Sequence, residues 1–204
     1  MKSCSDFSPI SVSTTFASLF EGLILSKMDF INETINYYKN GGSEIKLASL
    51  DATKAFDKLW RAGLFKKLYS KIDIWIWRSI MSYYNKSKII VKINQMKSNI
   101  YQSTEGVKQG GKLSAYLFNF FISDMLEESL KLNIGAKIGQ TNVSIIAYCD
   151  DILILSPSTT YLNKLLDVCF EFSLKWKIEF NPTKSCYSFF WKLYKIVKYT
   201  YRSA

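Results

Sequence analysis

The chain has 204 residues, 48% of them hydrophobic, which is enough for one sizeable domain and does not require two. Its 27 Lys and Arg residues outnumber 17 Asp and Glu residues, giving a formal net charge of +10. These basic residues are spread along the sequence rather than gathered in a tail. We therefore expect a positively charged folded surface, which is either simply solvated or faces a polyanion such as nucleic acid.

The residue types exclude several kinds of chemistry. Histidine is absent and the four cysteines form no C-x-x-C pair, so neither a zinc site nor catalysis by an imidazole base is expected. The cysteine spacing does not indicate a secreted disulfide scaffold. No apolar run approaches the roughly 20 residues that span a bilayer, and the N-terminus lacks the order of a signal peptide. We expect an intracellular protein, cytoplasmic or nuclear, with no membrane partner.

The predicted elements mix strands and helices without strict β-α-β alternation, which favours the α+β class. In chain order they are a helix from about Thr15 to Tyr38, a strand from Glu44 to Leu50 that ends at Asp51, helices over Lys58–Ser70 and Ile74–Tyr84, strands over Lys88–Asn94 and Asn99–Ser103, a helix over Lys112–Leu130, strands over Val143–Tyr148 and Ile152–Leu155, a helix over Thr159–Trp176, and a last strand over Cys186–Trp191. The i, i+3, i+4, i+7 spacing assigns one face of the helix over Lys112–Leu130 to Leu113, Tyr116, Leu117, Phe120, Phe121 and Asp124.

Two adjacent acids interrupt an apolar strand–turn–strand pattern. Asp150 and Asp151 lie between the strands over Val143–Tyr148 and Ile152–Leu155. One interpretation is an ordinary acidic hairpin turn, since Asp is common in turns. The other is a metal site, because neighbouring carboxylates raise each other's pKa and repel unless a cation neutralises them. Oxygen ligands without His or Cys suit Mg²⁺ or Mn²⁺.

A third acid, Asp51, ends a separate predicted strand. If both strands belong to one sheet, Asp51 can meet Asp150 and Asp151. Three carboxylates can bridge two divalent ions, which together can activate a 3′-hydroxyl and stabilise leaving pyrophosphate in phosphoryl transfer.

Four segments resemble, in order, motifs A to D of the reverse transcriptases of non-LTR retrotransposons. They are Leu50-Asp51-Ala52-Thr53-Lys54-Ala55-Phe56-Asp57, Gly106-Val107-Lys108-Gln109-Gly110-Gly111-Lys112-Leu113-Ser114, Ala147-Tyr148-Cys149-Asp150-Asp151, and Phe180-Asn181-Pro182-Thr183-Lys184-Ser185. The resemblance covers roughly Ile45 to Ser185. It implies a polymerase palm-like antiparallel sheet packed on helices, and RNA-directed DNA polymerisation with two Mg²⁺ or Mn²⁺ ions. The implied partners are an RNA template, a DNA primer and deoxynucleoside triphosphates.

The resemblance also implies roles for individual residues. The metals would be held at Asp51, Ala52, Asp150 and Asp151, and Lys184 would donate a proton to pyrophosphate or act as a charge partner of the triphosphate. The implied nucleotide-binding residues are Phe56, Gln109, Gly110 and Gly111, with Phe56 as a gate against the ribose 2′-hydroxyl. From the pattern alone, Phe56 would be a core residue and Lys184 a solvated one.

The sequence also departs from the family pattern. Ser8-Pro9-Ile10-Ser11 has Ser where the family's fingers motif usually has Arg, and the segment between it and Asp51 is short. We therefore expect incomplete fingers and no thumb, in a truncated copy. The expected division is a fingers remnant over 1–44, a palm over 45–192 with inserted fingers elements at about 70–105, and a tail over 193–204.

Two alternative functions remain open. The chain could be a catalytically inactive remnant that still binds nucleic acid. Alternatively, Gly106, Gly111 and Lys112 nearly match the phosphate loop of an NTPase. Against this second alternative, Leu113 replaces the hydroxyl residue that would hold Mg²⁺, and no buried strand is predicted before the loop.

Overall fold

The computed structural model describes residues 29–190 and confirms a mixture of helices and antiparallel strands. The elements are α1 (29–40), β1 (Ile45–Asp51), α2 (Ala55–Lys58), α3 (Arg61–Tyr69), α4 (Ile74–Asn85), β2 (Lys88–Ile89), β3 (Lys92–Ile93), β4 (Met96–Lys97), β5 (Tyr101–Gln102), α5 (Lys112–Lys131), β6 (Lys137–Ile138), β7 (Thr141–Asn142), β8 (Ile145–Tyr148), β9 (Asp151–Ser156), α6 (Thr159–Trp176) and β10 (Cys186–Phe190).

A four-stranded antiparallel sheet, in the order β10-β1-β9-β8, forms the centre of the fold. The strands of this sheet come from three widely separated parts of the sequence. Strand β1 lies between β10 and β9, and its last residue, Asp51, is directly opposite Asp151. The sheet therefore joins the first and third of the sequence motifs at one end of two neighbouring strands.

The two faces of the sheet are covered differently, because side chains alternate along each strand. Ala48 and Leu50 belong to the main apolar core, which α5 and α6 complete. Ile45 lies on the opposite face, where it packs in a smaller cluster with Phe30 of α1. Asp51 is separated from Ile45 by an even number of steps, so it shares this second face. At its end of the strand, 23% of the Asp51 side chain is exposed.

The predicted buried face of α5 is wrong in part. Leu113 and Tyr116 are 41% and 65% exposed, and Asp124 is also exposed. The face that packs on the sheet consists of Ser114, Leu117, Phe118, Phe121, Ile122, Met125 and Ser129. Helix α5 carries apolar residues around most of its circumference, so spacing alone did not identify the buried stripe.

Other predicted boundaries shift slightly. The helix predicted over Lys58–Ser70 begins at Arg61 instead, and the short helix α2 before it was not predicted. The two strands predicted between Lys88 and Ser103 are instead four short ones, with β2 paired to β5 and β3 paired to β4 in two small sheets, together called the ribbon. The sides of this ribbon are exposed, so its strands lack the packing that would lengthen them.

Some expectations fall outside the described residues. These include the resemblance at Ser8-Pro9-Ile10-Ser11, the first part of the helix predicted from Thr15, and the tail over 193–204. The division of the rest into fingers remnant, palm and inserted fingers elements stays a prediction. Between residues 29 and 190, no helix has both the length and the apolarity needed to cross a bilayer.

A buried lysine connects α3 to the two helices behind the sheet. The Lys67 side chain is 6% exposed, and its Nζ donates a hydrogen bond to the Phe121 carbonyl at 2.5 Å and lies 3.0 Å from Asp124 Oδ2. Three aromatic rings surround this ammonium group, with Nζ 4.1 Å from the ring centroid of Trp176, 4.6 Å from that of Phe172 and 5.0 Å from that of Phe121. Burial lowers the pKa of Lys67, while the hydrogen bond with Asp124 opposes that effect. Cation–π and ion-pair contacts thus hold α3, α5 and α6 together.

Replacing Lys67 with Ala should lower the free energy of unfolding by about 2–4 kcal/mol, because it leaves a space between the rings and removes charge-assisted hydrogen bonds. Lys66→Ala is the matched control, since Lys66 is the exposed neighbour on the same helix. Its effect should stay within about 0.5 kcal/mol. Urea denaturation monitored by tryptophan fluorescence measures both. Equal losses in the two variants would contradict a stabilising role for the buried ammonium.

Candidate active site

Two carboxylates meet where β1 ends and β9 begins. Asp51 and Asp151 are directly opposed in the antiparallel register, so their side chains leave the same face of the sheet as neighbours. Asp151 is exposed, whereas Asp51 is partly buried. Like charges at directly opposed positions destabilise a sheet. A positive charge beside the two carboxylates would offset this cost.

Asp150 lies in the two-residue turn between β8 and β9. The preceding residue, Cys149, has a φ of 49°, which is unusual for a residue other than glycine. The Cys149 backbone N–H donates a hydrogen bond to Asn119 Oδ1 at 2.9 Å, and Asn119 belongs to α5. The turn that carries Asp150 is therefore attached to the helix that follows the second sequence motif. The sequence contained no local signal for this contact.

The electrostatic environment of the turn disfavours negative charge. Burial is the largest influence that raises the pKa of Asp150, and the charges of Asp151 and Asp51 raise it further. A backbone hydrogen bond at Asp150 and the charge of Lys184 act in the opposite direction. Burial, together with Cys149 and Asp150, also raises the pKa of Tyr148 to about 12, so its phenol stays protonated at neutral pH. The three aspartates and Lys184 thus form one electrostatic unit.

The segment before β10 runs along the end of β1. The Asn181 N–H donates to the Asp51 carbonyl at 2.7 Å, and the Asp51 N–H donates to Ser185 Oγ at 3.3 Å. Between these two contacts, Lys184 places its Nζ 3.7 Å from Asp51 Oδ2 while remaining 67% exposed. Asn181 Oδ1 in turn accepts hydrogen bonds from the N–H and hydroxyl of Thr183, which shape the turn. Lys184, which the sequence pattern alone predicts to be a solvated lysine, therefore lies beside Asp51.

Phe56 packs against the core, as its pattern predicts, and its role as a gate stays a prediction. Its ring lies 5.4 Å from the ring of Phe118, centroid to centroid, and it packs at the edge of the main core. The side chain is only partly buried. Phe56 therefore contacts α5 through its ring while part of its side chain stays accessible.

The loop over residues 106–111 is attached to the segment that follows Asp51. The Gly106 N–H donates to the Leu59 carbonyl at 2.9 Å, and the Val107 N–H donates to the Phe56 carbonyl at 2.6 Å. Gly106 has a φ of 73°, and a Cβ there would lie 2.3 Å from the Asp57 carbonyl oxygen, so this close approach requires glycine.

Further along the same loop, Gln109 Nε2 donates to Asp57 Oδ2 at 3.0 Å. Gly110 has a φ of 71°, and Gly111 is the N-cap of α5. The loop is connected to the three aspartates through residues 56–59, to which it is hydrogen-bonded and which follow Asp51 closely in the chain.

Asp51, Ala52, Asp150 and Asp151 together form what we call the acidic end of the sheet. Their three carboxylates and the backbone carbonyl of Ala52 are the oxygen ligands that Mg²⁺ and Mn²⁺ prefer. Within residues 29–190, no three His, Cys, Asp or Glu side chains are grouped closely enough to surround one ion as they are placed. Asp51 is paired with Lys184 instead. The raised pKa of Asp150 nevertheless fits a cation site, because a positive charge there would relieve the repulsion.

A cavity between α5 and α6 lies away from the three aspartates. A space of about 270 Å³ is lined by residues of α5 and α6, including Asp124, Glu128 and Trp176, and by none of the proposed site residues.

Comparison with known proteins identifies the family. The family described as reverse transcriptase (RNA-dependent DNA polymerase) matches residues 7–200. The chain belongs to the reverse transcriptase family. Since the match includes all four sequence motifs, the resemblance predicted from them is confirmed.

Curated relatives of this reverse transcriptase chain come from mobile elements. It is 30% identical over 141 residues to the RNA-directed DNA polymerase from mobile element jockey of Drosophila funebris, covering 66% of this chain and 15% of that protein. It is 30% identical over 132 residues to the Pol polyprotein from retrotransposable element R2DM of Drosophila melanogaster, covering 62% of this chain and 12% of that one. These relatives belong to non-LTR retrotransposons, and the chain spans a small part of their length.

Solved structures show the same fold. The apo telomerase of Candida tropicalis, truncated from its C-terminal domain, matches with a TM-score of 0.63 and 15% identity, over 90% of this chain and 37% of that one. The telomerase of Candida albicans in complex with a TWJ fragment of telomeric RNA matches with a TM-score of 0.59 and 15% identity, over 77% of this chain and 30% of that one. At this identity the likeness concerns the fold alone, and it confirms the α+β palm-like prediction.

The NTPase alternative is not supported. A phosphate loop follows a buried strand. Here the strand before Gly106 is β5, which consists of two exposed residues paired to another short exposed strand. The family match, by contrast, covers this loop as part of a reverse transcriptase.

Asp150→Asn should stabilise the metal-free protein. Because folding raises the pKa of Asp150, the ionised form costs stability above that raised pKa, and the cost disappears as the pH falls below the ordinary pKa. Removing the charge should raise Tm at pH 7 in EDTA by about 2–4 °C, and this gain should shrink on acidification. Asp167→Asn, at an exposed position of α6, is the control and should not raise Tm. A lower Tm for Asp150→Asn would show that the carboxylate is not under repulsion.

Asn119→Ala should loosen the Asp150 turn specifically. The variant removes the acceptor of the Cys149 N–H, so hydrogen exchange at that amide should accelerate about 10-fold, corresponding to one lost hydrogen bond. Asn163→Ala, at an exposed position of α6, provides the comparison and should leave exchange at Cys149 unchanged. Exchange at Cys149 that is the same in Asn119→Ala as in the wild type would mean that α5 does not hold the turn.

Proposed function

We propose that this chain carries out RNA-templated DNA polymerisation at the site where β1 ends and β9 begins. The observation that supports this most directly is the placement of Asp51 opposite Asp151 with Asp150 in the adjoining turn. Membership of the reverse transcriptase family adds the reaction class. Phosphoryl transfer needs positioning and electrostatic stabilisation rather than a protein nucleophile, which agrees with a site made of carboxylates and one ammonium group.

Asp51, Asp150 and Asp151, together with the backbone carbonyl of Ala52, would hold two Mg²⁺ or Mn²⁺ ions. When bound, such a pair of ions activates a 3′-hydroxyl and neutralises the leaving pyrophosphate. The protein supplies the negative charge that attracts the ions. The hydrogen bond from the Cys149 N–H to Asn119 attaches the turn that carries Asp150 to α5.

Lys184 would serve the triphosphate end of the incoming nucleotide. Its Nζ is exposed and already lies 3.7 Å from Asp51 Oδ2, so a triphosphate bound beside Asp51 would come within its reach. The ammonium group would then pair with phosphate oxygens or donate a proton to pyrophosphate. The hydrogen bonds of Asn181 and Ser185 to Asp51 keep it at that position.

The sugar and base of the nucleotide would lie against Phe56 and the loop. The Phe56 ring is braced by Phe118 and would resist displacement by a ribose 2′-hydroxyl, which favours deoxynucleotides. Gln109, Gly110 and Gly111 would contact the nucleotide, and the glycines would allow close approach of the backbone. For this, Gln109 would exchange its present hydrogen bond to Asp57 for one to the nucleotide.

An RNA template and a DNA primer are the proposed polymer partners, in the cytoplasm or the nucleus. A net charge of +10 favours salt-dependent binding of phosphate backbones. The telomerases that share this fold include one solved with a fragment of telomeric RNA, and the jockey relative is named as an RNA-directed DNA polymerase. These names support an RNA template for this chain, as a proposal.

The deciding experiment is primer extension on an RNA template with deoxynucleotides and Mg²⁺. Wild type should extend the primer, and Asp150→Ala should reduce extension at least about 1,000-fold, because a metal ligand is lost. Asp167→Ala, which removes a remote exposed carboxylate, is the matched control and should retain activity. No extension by folded wild type, alongside salt-dependent RNA binding, would refute the polymerase proposal and leave a nucleic-acid-binding remnant.

A further inference from the structure

A second buried cation, at the first residue of α3, contacts the loop proposed to bind the nucleotide. Arg61 is 6% exposed. Its Nε donates to the Gly106 carbonyl at 2.6 Å, and its Nη1 donates to the Tyr84 carbonyl at 3.0 Å. The Ser103 carbonyl also accepts from Nη1, and the Ser103 hydroxyl oxygen accepts from Nη2 at 2.7 Å. One guanidinium group thus serves acceptors from three positions of the chain.

The acceptors around Arg61 are neutral oxygens. Among residues 29–190, its recorded hydrogen bonds go to three carbonyls and one hydroxyl rather than to a carboxylate. Burial lowers the pKa of Arg61, partly offset by Tyr84 and by the charge of Glu105. A guanidinium group nevertheless keeps its proton in proteins. The four hydrogen bonds offset the cost of burying this charge, and they connect α3 to Tyr84, Ser103 and Gly106.

That geometry concerns the entrance to the loop. Tyr84 belongs to the last turn of α4, Ser103 follows β5, and Gly106 begins the loop over residues 106–111. On the other side, the Gly106 and Val107 N–H groups donate to the carbonyls of Leu59 and Phe56. The start of the loop is therefore bonded through its amides to the segment after β1 and through its carbonyl to Arg61.

We propose that Arg61 is a positioning residue for nucleotide binding. Through its hydrogen bonds to Gly106 and Ser103, it fixes the position of the first residues of the 106–111 loop. This inference rests on the proposed function. Arg61 does not act on the reacting atoms. It acts through Gly106, whose placement determines where Gln109 and the glycines after it meet the nucleotide.

The fork of the guanidinium group is what the site uses. Nε, Nη1 and Nη2 point in different directions within one plane, and each meets a different acceptor. A lysine has the same charge but a single donor atom, so it cannot reach Gly106 and the Ser103 hydroxyl in the same arrangement. Arg61→Lys therefore removes the geometry while keeping the charge.

The test compares Arg61→Lys with Arg78→Lys in the full chain. Arg78 is exposed on α4 and lies over the Trp75 ring, so the same exchange there leaves the loop untouched. We expect Arg61→Lys to raise the KM for deoxynucleotides about 10-fold, with kcat and the Mg²⁺ midpoint changed less than about 2-fold. Hydrogen exchange at the Gly106 and Val107 amides should accelerate about 10-fold, without acceleration in β1 or β9.

Three results would overturn the proposal. They are unchanged exchange at Gly106, acceleration spread evenly through the sheet, and a fall in kcat with KM unchanged. If Arg61→Lys does not fold, Ser103→Ala takes its place. It removes the acceptor of Arg61 Nη2 and also the hydrogen bond from the Ser103 hydroxyl to the Glu105 carbonyl, and it should produce the same local pattern at smaller size. If folded wild type neither extends a primer nor binds deoxynucleotides, the proposed function fails, while the exchange comparison still decides whether Arg61 holds the loop.

Discussion

The antiparallel pairing of β1 with β9 is the constraint on which the site depends. Its register sets Asp51 against Asp151 and, through the short turn to β8, places Asp150 beside them. Because side chains alternate along a strand, a slip of one residue would send Asp51 toward α5 and α6 and expose core residues. Burial of Leu50 and Ile152 against those helices thus enforces the position of the acids.

The acidic end is maintained against its own electrostatics. Burial and neighbouring carboxylates raise the pKa of Asp150, so the apolar core stabilises an arrangement that the charges oppose. Lys184 offsets part of this repulsion from a segment bonded on both sides to the Asp51 backbone. Raised pKa values of this kind cluster at functional sites, and here the effect lies where β1 ends and β9 begins.

Helix α5 connects the parts of the site. The helix begins after its N-cap, Gly111. Its Phe118 packs against Phe56, and its Asn119 side chain accepts a hydrogen bond from the Cys149 N–H. Buried cations then secure the helices around it. Lys67 lies among aromatic rings between α3, α5 and α6, whereas Arg61 meets backbone carbonyls at the loop entrance. Not all basic residues of this chain lie at the surface, because Arg61 and Lys67 are buried and connect elements inside the fold.

The sequence by itself predicted the long helices, the strands of the central sheet and the four motifs, since periodicity and turn residues act between near neighbours, but it missed α2 and the short strands β6 and β7. It predicted that Asp51 could meet Asp150 and Asp151, but the register that opposes Asp51 to Asp151 was decided by the tertiary structure. The buried face of α5 was also decided there, because a helix apolar on several sides leaves the choice to its neighbours. The contacts of Asn119 and Arg61 join residues far apart in the chain, and such contacts have no local pattern from which to be read.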